Sequence, residues 1–168
     1  MRRKQIIIGA ATLIASWYGM MAIHELGHCL GAWLTGATVE EVTFPLLGFS
    51  RTDVSDGDHP LLVAWAGPMF GALLPLLLLP CRRFLGRVGK DALLFFAGFC
   101  LLANGIYIGV GCLSPAGDAL DLLRCGTPKW HLAAFGCMAL AVGLFLWHRL
   151  GPFRGWFRPA QRRFGADG

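Results

Sequence analysis

Two histidines and a glutamate in an HExxH arrangement, His24, Glu25 and His28, are the residues whose types and spacing best suit chemistry. Residues four apart lie on the same face of a helix, so both imidazoles can reach one metal ion. The glutamate then flanks a metal-bound water, where it can act as a base. The pattern predicts a zinc site with His24 and His28 as ligands and Glu25 as the catalytic residue.

The apolar surroundings of this motif favour metal binding over a chance match. From Gln5 to Val39 the only formally charged residue is Glu25. At ~1.5 Å per residue this run exceeds the ~30 Å hydrocarbon core of a bilayer. An ionisable residue in a membrane helix costs about 3 kcal/mol on insertion scales, and a zinc ion would supply the charge that offsets it. The alternative is a pair of hydrogen-bonded core histidines.

Composition predicts an integral membrane protein. Of 168 residues, 55% are hydrophobic and 15% are charged, whereas soluble domains carry about 25% charged residues. Three further runs without Asp, Glu, Lys or Arg approach or exceed the length of a spanning helix. We predict one all-α membrane domain over 1–168, with spans at roughly 6–34, 61–80, 92–113 and 130–148. A cleaved signal peptide at the start is the competing interpretation, but the apolar run is too long for one.

The distribution of basic residues predicts an orientation. All but Arg51, Arg124 and Lys129 of the 15 Lys and Arg lie in the head, between spans two and three, or in the tail. By the positive-inside rule both termini are cytoplasmic, in a multi-pass protein of the cell (inner) membrane. We therefore expect the lipid bilayer, and no nucleic acid, as a partner. The tail, 149–168, suits either an interfacial segment on anionic lipid or a solvated basic segment.

A third metal ligand is needed, because catalytic zinc commonly has three protein ligands and one open position. Asp118 and Asp121 follow span three and are spaced so that both carboxylates face similar directions on a short helix. Breaks at Pro115 and Gly117 can fold Asp118 back toward the bundle, so Asp118 is preferred; its alternative role is a helix N-cap. The remaining candidates are Glu40, Glu41, Asp53, Asp56, Asp58, His59 and His131.

Glycine pairs spaced four apart recur on the first three spans, as Gly27/Gly31, Gly67/Gly71 and Gly105/Gly109. Small residues at this spacing let membrane helices approach closely. We predict a three-helix catalytic core around the metal, with span four peripheral. The connection from Val39 to Thr52 is predicted to form a short strand or β-hairpin at the membrane boundary.

The chain resembles the site-2 protease family, the intramembrane zinc metalloproteases. The resemblance rests on HELGH at 24–28, the segments 36–42 and 47–49, Ala-Gly-Pro at 66–68, and Pro115 with Asp118. It implies one zinc ion per chain and cleavage of a transmembrane segment of a protein substrate. The family's third ligand is an aspartate that maps onto Asp118, although Ala119 stands where the family has glycine. Asn104, a lone amide within span three, is the candidate for substrate or oxyanion contact.

The sequence thus predicts an intramembrane metalloendopeptidase. The alternative is a catalytically inactive membrane protein that binds or chaperones a partner with the same fold. Pure metal binding has no need of Glu25, which favours the enzyme. The sequence indicates neither the substrate nor the oligomeric state.

Overall fold

The chain folds as a bundle of helices with one small hairpin, and a computed structural model describes residues 2–55 and 57–150. A 3₁₀ turn over Leu79–Phe84 follows the second long helix. The elements in chain order are α1 (Arg2–Thr35), β1 (Val39–Thr43), β2 (Arg51–Val54), α2 (Pro60–Leu77), α3 (Arg87–Gly111), α4 (Asp118–Arg124) and α5 (Lys129–Arg149).

Within the described residues four segments are long and apolar enough to cross a membrane: Ile6–Thr35, Pro60–Phe84, Arg87–Gly111 and Lys129–Arg149. This confirms the prediction of an all-α, multi-pass membrane protein. The third span begins earlier than the expected residue 92, because charged residues at 87, 90 and 91 form its first turns. The tail beyond residue 150, with its proposed interfacial role, lies outside the described residues.

Helix α1 packs mainly against α2, and α3 packs mainly against α5. Contacts between α2 and α3 join these two pairs. A Cβ at Gly31 would lie 2.7 Å from Ala66 Cβ, so α1 and α2 approach closely where the sequence predicted. The expectation for the glycine pair of α3 was wrong. Gly105 and Gly109 face Ala139 and Gly136 of α5 rather than the predicted metal site, and these small residues let span four pack closely against α3.

The predicted hairpin is confirmed. Gly36, at a φ of +78°, ends α1 and turns the chain into β1, a conformation that glycine adopts without steric cost. β1 and β2 are antiparallel, and Val42 pairs with Thr52. β2 ends at Val54, slightly beyond the expected boundary.

The connection between the strands is held against the bundle. The Tyr18 hydroxyl of α1 donates a hydrogen bond to the Leu46 carbonyl over 2.7 Å. The Phe49 ring lies 5.8 Å from the Trp17 ring and stacks on Tyr107 of α3 at 5.7 Å. These contacts hold the chain that enters β2 against α1, next to the turns of the helix that carry the HExxH motif.

Candidate metal centre

His24, His28 and Asp118 converge on one point. The two Nε2 atoms are 3.1 Å apart, and Asp118 Oδ2 lies 2.7 Å from His24 Nε2 and 3.3 Å from His28 Nε2. Tetrahedral zinc with ligands at ~2.0–2.1 Å separates neighbouring ligand atoms by about 3.3 Å. The cluster can therefore hold a metal ion, and it is the one group of three or more such ligands among the described residues.

The outer nitrogens of both imidazoles have hydrogen-bond acceptors. His28 Nδ1 donates to the Val63 carbonyl over 2.8 Å. His24 Nδ1 lies 2.7 Å from Asn104 Oδ1, and Asn104 Nδ2 donates to the Cys100 carbonyl over 2.9 Å. The second bond identifies Oδ1 as the atom that faces His24, so His24 Nδ1 also donates. Both Nε2 lone pairs are thereby directed at the shared point, as in metal-ligating histidines.

Glycines of α2 make room for these side chains. A Cβ at Gly67 would overlap the His28 ring, and one at Gly71 would lie 2.9 Å from the Asn104 amide. On α1, a Cβ at Gly27 would lie 2.7 Å from Phe70 Cβ. Gly67, in the Ala-Gly-Pro segment of α2, thus brings backbone without a side chain against the histidine face of α1.

Asp118 reaches the centre from the start of α4. Gly117, at a φ of +51°, precedes it, and the Asp118 backbone N–H donates to the Tyr107 hydroxyl over 3.1 Å. Burial alone would raise the pKa of the Asp118 carboxyl, but when the imidazoles of His24 and His28 carry Nε2 protons, which a metal ion would replace, their hydrogen bonds and charge outweigh burial and hold that pKa well below its usual range. The carboxylate is therefore ionised at neutral pH, as a ligand must be.

The other third-ligand candidates lie outside the cluster. Asp118 is the first residue of α4 and its carboxylate faces the histidines, so the N-cap alternative is wrong. Asp121 has a 59% exposed side chain that pairs with Arg124 at 3.5 Å. His131 contacts the Trp130 ring at 3.8 Å. Glu40, Glu41, Asp53, Asp58 and His59 do not join the group either, and Asp56 lies outside the described residues.

Glu25 is 3% exposed and is held by two hydroxyl groups that the sequence analysis missed. Ser50 Oγ donates to Oε1 and Thr52 Oγ1 donates to Oε2, each over 2.6 Å. This is the length of charge-assisted O–H···O⁻ bonds. Each carboxylate oxygen keeps a lone pair for a further donor, such as a water molecule. The i, i+2 spacing of the two residues was the available sequence signal, because alternate residues of an extended segment share a face.

The centre lies between two cavities of different character. A cavity of about 360 Å³ on the His28 and Asp118 side reaches His59, Asp121 and Arg124. A second cavity, of about 270 Å³, borders His24 and Glu25 and is otherwise lined mainly by apolar side chains. The larger cavity connects the candidate metal site with residues of the hairpin, Thr52 and Val54.

Comparison with protein-family models, curated proteins and solved structures finds no significant match. The resemblance to site-2 proteases therefore stays a prediction that rests on the HELGH motif and Asp118. The predicted substrate contact of Asn104 also stays a prediction. The contact that the structure does show for Asn104 is with His24.

Proposed function

We propose that this protein is an intramembrane zinc metalloendopeptidase of the site-2 protease type, which cleaves transmembrane segments of protein substrates. The observation that carries the proposal is the cluster of buried His24 and His28 with partly buried Asp118, in which the two histidines and the adjacent buried Glu25 lie on a helix long and apolar enough to span a membrane. Two imidazoles and one carboxylate that leave a position open are typical of catalytic zinc. A purely structural zinc site would have four protein ligands.

The chain's own residues account for the proton transfers. A zinc ion bound here would supply Lewis acidity to the attacked carbonyl and to a water molecule. Glu25 accepts a proton from a water molecule while the oxygen of that water bonds to the carbonyl carbon. When the carbon–nitrogen bond breaks, Glu25 returns the proton to the leaving amine. Ser50 and Thr52 hold the carboxylate in place during both transfers.

The depth of the site supports a substrate within the membrane. His28 lies seven residues before the end of α1 at Thr35, which places it ~10 Å below the hairpin end of the helix. The residues of α1 on both sides of the motif belong to the same apolar span. A peptide bond of a partly unwound transmembrane segment could meet the metal at this depth, whereas a soluble protein would have to enter the bilayer.

Metal content and activity of three variants test the proposal. Purified protein should carry close to one zinc per chain, and His24→Ala and His28→Ala should each lose it. Glu25→Gln should keep the zinc and lose cleavage, because it preserves shape and removes the base. Equal zinc content in all of them would reject the metal site.

A comparison of membrane proteomes identifies the substrate. Cells with Glu25→Gln in place of the wild type should accumulate at least one single-pass membrane protein that the wild type cleaves. If zinc is bound and no membrane protein accumulates, the inactive binding or chaperone protein becomes the better assignment.

The charge distribution supports cytoplasmic termini in the inner membrane, with the hairpin on the opposite side. Single cysteines at positions 55 and 84, in place of Ser55 and Phe84, test this orientation. The six native cysteines, which are free, are first replaced. Ser55 follows β2 and Phe84 ends the 3₁₀ turn at the other end of the bundle. A membrane-impermeant maleimide added outside should label position 55 and spare position 84. The reverse pattern would overturn the orientation.

A further inference from the structure

The apolar cavity beside Glu25 has walls from three parts of the chain. Trp17, Met20 and Met21 of α1 form one wall, and Ala103, Ile106 and Tyr107 of α3 form another. Phe49 closes the hairpin side, where its ring stacks on Tyr107. The polar groups that line it, His24, Glu25, Ser50 and Asn104, all belong to the candidate active site or hold its residues.

The volume suits an aromatic side chain. An apolar protein cavity of ~150 Å³ binds benzene, and this cavity measures about 270 Å³. Three aromatic rings and two thioethers line it, and both groups make favourable contacts with an aromatic guest. A polar side chain would lose its hydration here and find partners only among groups that the reaction uses.

The cavity borders the surface between α1 and α3. These helices touch over far fewer residues than α1 and α2 do. Ile106, which lines the cavity, is 51% exposed on the outside of a membrane-spanning helix. A side chain from a transmembrane segment beside the bundle can therefore enter between the two helices while its backbone lies near Glu25.

We propose that this cavity is the specificity pocket of the enzyme and that it takes a large aromatic side chain at one position flanking the cleaved bond. The inference rests on the proposed function, because the pocket has this meaning only if Glu25 acts on a peptide bond. It names the substrate class: transmembrane segments in which Phe, Tyr or Trp adjoins the scissile bond.

The experiment uses purified full-length protein in liposomes with a library of single-span segments that vary around a central bond, and mass spectrometry locates the cuts. Wild type should favour Phe, Tyr and Trp over Ala at one flanking position by about 10-fold or more, as apolar pockets discriminate by size. Ala103→Leu should fill the pocket, reverse this preference toward Ala and Gly, and keep zinc. Ala141→Leu, at an exposed position on α5, should cut like wild type.

Phe49→Ala provides a second variant outside the helices, since Phe49 lies on the connection between the strands. Loss of this wall should weaken the aromatic preference by about 10-fold. Cleavage that depends on Glu25 but shows no side-chain preference, or a preference that neither variant alters, would overturn the pocket and leave the protease standing. If no library member is cut in a Glu25-dependent way, the proposed function fails and the pocket fails with it.

Discussion

Thr52→Val is the sharpest perturbation of the proposed catalytic machinery, because it removes one hydroxyl and keeps the shape of the side chain. Thr52 Oγ1 donates to Glu25 Oε2 over 2.6 Å. Hydrogen bonds to charged groups contribute about 1.5–3 kcal/mol, and each 1.36 kcal/mol corresponds to a factor of ten in rate. We expect kcat to fall by about 10- to 150-fold.

The KM should change little, because the contact of Thr52 with the catalytic machinery is through the carboxylate of Glu25. Thr52→Ser is the matched control, since it keeps the hydroxyl and removes only the methyl group. It should retain kcat within a few-fold of the wild type. The assay is cleavage, at saturating and at low concentration, of the membrane protein that accumulates in the Glu25→Gln cells, with zinc content measured on the same samples.

Three results would refute this reasoning. An unchanged or raised kcat in Thr52→Val would mean that the hydroxyl does not help Glu25 or that it blocks the base until substrate displaces it. An equal loss in Thr52→Val and Thr52→Ser would mean that the methyl packing of β2 matters and the hydrogen bond does not. Loss of zinc in Thr52→Val alone would assign the residue to the folding of the site.

Two further pairs of substitutions, each a test with its control, probe the ligand geometry. Gly67→Ala should displace the His28 ring, which its Cβ would overlap, and lower the zinc content well below one per chain. The control is Gly9→Ala, whose Cβ meets nothing within 4 Å and which should bind zinc normally. Equal zinc content in both variants would contradict the close approach of Gly67 to His28. Asp118→Asn should weaken zinc affinity and abolish cleavage, and Asp121→Asn should retain most activity; the opposite pattern, measured by metal titration and cleavage, would assign the ligand to Asp121.

Much of the site could be predicted because its residues carry unusual chemistry for their surroundings. Glu25 is the only formal charge in a long apolar run, and His24 and His28 flank it at helical spacing. Asp118 follows Pro115 and Gly117 in the segment between α3, which ends at Gly111, and α4. The spans themselves followed from runs without charge, and the errors at their ends arose where charged residues begin a helix.

The parts that could not be predicted depend on partners without a residue-type signal. His28 Nδ1 uses the Val63 carbonyl, and every residue has a carbonyl. Gly105 and Gly109 carry the same spacing as the α1 and α2 pairs, yet they face α5. A glycine pair shows that some helix comes close, and only the packing of all four spans decides which one.

Charge balance explains why the histidine cluster, Asp118 and the hydroxyl groups around Glu25 occur together. Asp118 and Glu25 bring two carboxylates into one largely buried site, an arrangement that membrane surroundings make costly unless each charge is compensated. With a metal ion bound, the histidines, whose Nδ1 atoms donate to Asn104 and Val63, would offer Nε2 lone pairs rather than added positive charge. Ser50 and Thr52 donate to the two oxygens of Glu25 and leave each oxygen a lone pair that can accept a proton. A dication at the histidine cluster would complete the balance, since Asp118 would meet it directly and Glu25, the proposed base, lies beside the cluster.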